Sequence, residues 1–131
     1  MSTAEDIVRH AYALRRDGNV TSSLQMYREA FRAFGPQDEG RAHCLRHIGD
    51  LALELGYREE ARAALLEAEA LYRSSVDDTL SLANTLRLLA LLEGEKSIWS
   101  QAKALYERVA NERGLDLDPA LAECDFHLAQ V

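Results

Sequence analysis

His43, Cys44 and His47 fall within one turn of a helical stretch, and two histidines four residues apart on one helix face can share a metal ion. No third ligand converges on them in the sequence, and Cys44 falls on another side of the helix. The spacing therefore reads as surface histidines beside a packed thiol, with no metal. Carboxylates are abundant, but an acid–base pair needs a pocket that desolvates one member, and Glu59-Glu60 stands where a helix start favours negative charge. Asn19-Val20-Thr21 fits a glycosylation acceptor; with no secretory signal ahead of it, it reads as a turn and helix cap. Phosphate-cradling Gly-rich loops, zinc-protease patterns and nucleophiles flanked by a base are missing, so the expectation is a non-enzymatic chain without a cofactor.

The elements that must position these residues are helices. Ser2 with Glu5 forms a capping box for a first helix over 3–17, which Gly18 stops. A second helix is predicted over 21–34, with Leu24, Tyr27, Phe31 and Phe34 at helical spacing and Gly35-Pro36 after it. A third runs over 38–55 to Gly56, and a fourth over 58–73 with Ala61, Leu65, Ala68 and Tyr72 on one stripe. The segment Ser74-Ser75-Val76-Asp77 offers caps to a fifth over 78–93, and a sixth spans 98–113. Asp118-Pro119 supplies a cap and a first-turn proline for a seventh that continues to the chain end. No stretch sustains period-two alternation, so no strand is expected.

The 131 residues suit one domain, and 47% hydrophobic content with two prolines is globular. Fifteen basic against 22 acidic residues give a net charge of −7, which would repel phosphate backbones and anionic lipid. Neither nucleic acid nor membrane is expected as a partner. The start MSTAEDIVRH lacks a signal-peptide apolar run, and the reading is a cytoplasmic protein in which Cys44 and Cys124 are small buried thiols.

An internal repeat organises the helices. Aligned without gaps, HAYALRRDGNVTSSLQMYREA, IGDLALELGYREEARAALLEA and LALLEGEKSIWSQAKALYERV place Ala11, Gly49 and Ala90 in one column. Ser23, Ala61 and Ala102 form a second, and Ala30, Ala68 and Val109 a third. Small residues at such intervals mark helix crossings, and hairpins that cannot bury their apolar faces alone must stack. The pattern resembles the tetratricopeptide repeat, best in Ala42, Leu45, Ile48, Gly49, Gly56, Tyr57, Ala61, Leu65 and Ala68. The third unit, ANTLRLLALLEGEKSIWSQAKALYERV, is similar to the longer repeats of kinesin light chains. The resemblance implies an all-α, right-handed solenoid of about three hairpins (3–35, 38–74 and 78–113) and a terminal helix over 118–131.

It also implies a role. The first helix of each such hairpin lines a concave groove, which would present Tyr12, Arg16, His43, Arg46, Asp50, Asn84, Arg87 and Leu91 to a protein or peptide. Arg46 and Arg87 stand at equivalent places and could fork to carboxylates of an acidic segment, or simply pair with acidic side chains nearby. The paired asparagines of kinesin light chains are replaced by Arg46-His47, Arg87-Leu88 and Phe126-His127, and the carboxylate clamp of chaperone-tail receptors is replaced at Val8 and Tyr12. His10 and His127 are expected on packing or groove-lining faces, and Trp99 at a hairpin turn. The alternative role is self-association, with Leu121, Phe126 and Leu128 of the last helix forming a homodimer interface beside Cys124.

Overall fold

The computed structural model describes residues 3–75 and 78–130. Among them lie seven α-helices and no strand: α1 (Ala4–Arg16), α2 (Val20–Ala33), α3 (Gly40–Glu54), α4 (Arg58–Arg73), α5 (Thr79–Glu93), α6 (Lys96–Arg113) and α7 (Asp118–Leu128). No helix among the described residues is long and apolar enough to cross a membrane.

The caps differ from expectation in instructive ways. The capping box at α1 uses Thr3 and Asp6, one residue along from Ser2 and Glu5, and Ser2 lies outside the described residues. Thr3 has extended dihedrals, its hydroxyl accepts the Asp6 N–H at 3.1 Å, and the Asp6 carboxylate accepts the Thr3 N–H at 3.2 Å. At α7 the cap position is Leu117, and Asp116 takes the Asp118 N–H at 3.1 Å, so Asp118 and Pro119 are already helical. Asn19 precedes α2 without any side-chain cap bond. Ser74 turns back and donates to the Leu71 carbonyl at 2.7 Å instead of capping α5. Val76 and Asp77 lie outside the described residues, Ser75 forms no cap, and α5 begins after Asp78 with no side-chain cap bond. The seventh helix stops at Leu128 and not at the chain end.

Glycine closes the first two hairpins with one and the same turn. Gly18 (φ +86°) and Gly56 (φ +84°) adopt the left-handed conformation, and the residue after each donates to a carbonyl five positions back, Asn19 to Leu14 and Tyr57 to Ala52, both at 2.8 Å.

All nine residues of the three columns are buried. At the α1–α2 crossing the Ser23 hydroxyl donates to the Ala11 carbonyl at 2.7 Å, which satisfies a buried polar group and fixes the separation of the helices. At the α3–α4 crossing Gly49 is required by space: a Cβ there would lie 2.5 Å from Leu65 Cδ2 and closer still to Cγ. Gly40 opens α3 beneath the Phe34 ring for the same reason, with a Cβ 2.8 Å from Phe34 Cδ1. By its internal contacts the chain divides into two compact units, Met1–Ala68 and Glu69–Val131, the division falling within α4. In the first, α1 packs on α2, α2 on α3 and α3 on α4; in the second, α5 packs on α6 and α6 on α7.

Candidate functional site

In the first unit α1 and α3 hold a cluster of cationic and aromatic side chains. Tyr12 is 59% exposed, His43 and Arg16 are exposed, and Arg46, His47 and Asp50 are half-buried. The His47 ring stacks flat on Tyr27 of α2 at 4.7 Å between centroids, and His43 meets His47 edge-on at 4.5 Å. This is the geometry that residues four apart on a helix allow. Arg15 on α1 reaches across to α3, with Nη1 2.8 Å from Glu54 and Nη2 3.7 Å from Asp50. The Arg15 Nη1 contact is off the hydrogen-bonding angle, so that nitrogen is an ion-pair partner without a hydrogen bond. Arg16 turns to Asp17 at 3.6 Å.

Arg46 is different. Its guanidinium forms no ion pair or hydrogen bond among the described residues, and its Nε is buried. Its charge is felt by its neighbours. Burial first, then Arg46, His43 and Arg15, push the His47 imidazole down to about 3; burial and then Arg46 hold His43 below the usual histidine range. Burial raises the Tyr27 phenol and the Cys44 thiol, each to about 12. Burial first, and guanidinium charge second, thus favour the neutral imidazoles, and no group of three or more His, Cys, Asp or Glu residues suited to a metal occurs among the described residues. The chemistry on offer is acceptance of an anion.

The second unit uses its matching residues internally. Asn84 accepts the Tyr106 hydroxyl at 2.7 Å, so its carbonyl oxygen is occupied. Of the two readings open for Arg87, presentation to a ligand or pairing with an acidic side chain, the second holds: it grips Glu123 of α7 through both Nε and Nη2. The sequence reading missed this pair because 36 positions separate its members. Leu91 is 39% exposed and borders a hollow of about 370 Å³ with Trp99 and His127, whose rings stack at 4.1 Å. His127 therefore packs as expected, whereas His10 is exposed on α1.

On α7, Phe126 is 63% exposed, Leu121 and Leu128 are half-buried, and Cys124 is fully buried. The apolar face expected there narrows to Phe126. A groove the sequence reading did not anticipate, of about 340 Å³, runs between α2 and α4, with Phe31, Leu45, Ile48 and Ala64 in its lining. Arg28 and Glu60 bridge it at 2.5 and 2.8 Å. The adjacent small residues Ala63 and Ala64 were its one visible sequence signal. No protein-family model, curated protein or solved structure matches the chain.

Proposed function

We propose that the chain is a non-enzymatic scaffold, a tetratricopeptide-like solenoid whose α1–α3 face takes an acidic peptide segment from a partner protein in the cytoplasm. One observation carries the reading: Arg46 is half-buried with an unsatisfied Nε, on a face where Arg15 is supplied with two carboxylates. An unpartnered buried donor costs roughly 1–3 kcal/mol, so little holds the Arg46 side chain inward, and once turned outward it can take a carboxylate side-on across Nε and Nη2 with two charge-assisted bonds. Tyr12, exposed on the neighbouring helix, gives such a segment an amphipathic surface to lie against. Arg46 acts without Arg87, whose guanidinium already holds the Glu123 carboxylate.

The test is fluorescence anisotropy with a panel of labelled glutamate-rich and charge-neutral peptides. The acidic peptides should bind, more weakly as salt rises, and Arg46→Gln should cost about tenfold or more with an unchanged helical signal. Equal binding of neutral peptides, or full binding by Arg46→Gln, overturns the assignment. A second reading, self-association through α7, rests on the exposure of Phe126; a particle that light scattering finds monomeric at micromolar concentration, unaltered by Phe126→Glu, would remove it.

A further inference from the structure

The surroundings of Arg46 extend that reading to regulation. His43 projects its exposed side to solvent and its ring edge against His47, and His47 is clamped on Tyr27. Arg46 acts on both rings and Arg15 of α1 on His47, while the Tyr27 ring beneath His47 is itself faced by Tyr12 and Arg15 from α1 and by Cys44 and Arg46 from α3. Asp50 and Glu54, the carboxylates on the same stretch of α3, are turned to Arg15. The free site therefore has a cation beside His43 and no carboxylate committed to it among the described residues.

We infer that an acidic peptide engaging Arg46 brings a proton onto His43, so that the peptide is held more tightly as pH falls from 7.5 to 5.5. The inference rests on the carboxylate reading above. A carboxylate at Arg46 offsets the guanidinium charge and gives an imidazolium at His43 an acceptor, so both changes favour the protonated ring in the complex. Linkage then requires affinity to rise as pH falls, by at most tenfold per pH unit for one proton. Burial, then Arg46, His43 and Arg15, keep His47 out of this range, and peptide glutamates near their ordinary value of about 4.3 stay ionised throughout it.

A glutamate-rich peptide is titrated into the full chain at pH 7.5, 6.5 and 5.5, with calorimetry in two buffers of different ionisation heat counting the protons. The expected result is a Kd falling about threefold to tenfold per unit, with fractional proton uptake. His43→Gln should bind at pH 7.5 but lose the slope, and Arg46→Gln should bind poorly at every pH. Should His43→Gln not fold, the wild-type His43 ring signal in NMR should titrate at a higher pH with peptide than without it. Binding that is flat with pH and takes up no proton overturns this inference and leaves the carboxylate site standing. A slope that survives in His43→Gln overturns it too. Absence of binding at any pH removes the site and the linkage together.

Discussion

Helices α3 and α5 align in sequence, yet they use their shared arginine in opposite ways. Aligning Gly49 with Ala90 pairs Arg46 with Arg87, His43 with Asn84 and His47 with Leu88. In α5 the arginine is tied to Glu123 and the asparagine to Tyr106, so the polar side chains hold the second unit together. In α3 the arginine keeps an unsatisfied Nε beside two histidines that burial, and then its own charge, hold towards the neutral form. One register thus serves packing in one unit and leaves an unspent cation in the other.

The largest expected effect breaks the crossings beneath these arginines. Gly49→Ala should cost about 1–3 kcal/mol and Gly49→Leu more, because Leu65 is fully buried and its Cγ, not a free end, meets the added carbon. Ala90→Gly at the matching place should cost about 2 kcal/mol, the helix propensity difference plus one buried methyl. Urea melts of the three variants measure this, and a Gly49→Leu loss no larger than that of Ala90→Gly would deny that the two crossings differ.

The next effect separates His47 from Leu88. The folded state holds His47 near 3 while the unfolded chain has it near 6.5, so below pH 6.5 the unfolded state binds a proton that the folded state does not. Stability contributed by this neutral ring is present above pH 6.5 and is lost as pH falls towards 3, by on the order of a few kcal/mol. His47→Leu, which copies α5, should flatten the Tm against pH between 6.5 and 4. A profile as steep as the wild type would place the acid sensitivity elsewhere.

The smallest effect concerns the arginines. Glu123→Ala leaves Arg87 half-buried without its carboxylate and should cost about 1 kcal/mol, since both side chains still meet water. Arg46→Gln should cost nothing or stabilise slightly, because an orphaned donor disappears. Paired melts of these two variants check the sign as well as the size.

Much of the helical order was legible because its signals are local. Gly18 and Gly56 stop helices wherever they occur in such a pattern, and the small residues at crossings announce themselves by column. The misplaced cap at α1 shows the limit: Ser2 and Thr3, with Glu5 and Asp6, offer two boxes one residue apart, and only the backbone dihedrals of Thr3 choose between them. The site was half legible. Arg46, His43 and Tyr12 follow from the helix register, but Arg87–Glu123 and Arg28–Glu60 join residues 36 and 32 positions apart. No local pattern encodes which carboxylate lands opposite which arginine, so occupied and vacant guanidiniums look alike in sequence. The Tyr27–His47 stack is likewise a contact between helices.

The two arginines can be watched directly through their side-chain Nε–Hε signals in a ¹H–¹⁵N NMR spectrum as a glutamate-rich peptide is added. Arg87, already donating through Nε to Glu123, should show a downfield Hε that stays in place. Arg46, without an acceptor in the free protein, should start upfield and move downfield in proportion to the bound fraction. A bound peptide that leaves Arg46 unmoved, or that shifts Arg87 in its stead, would contradict the claim that the vacant guanidinium on α3 is the binding group.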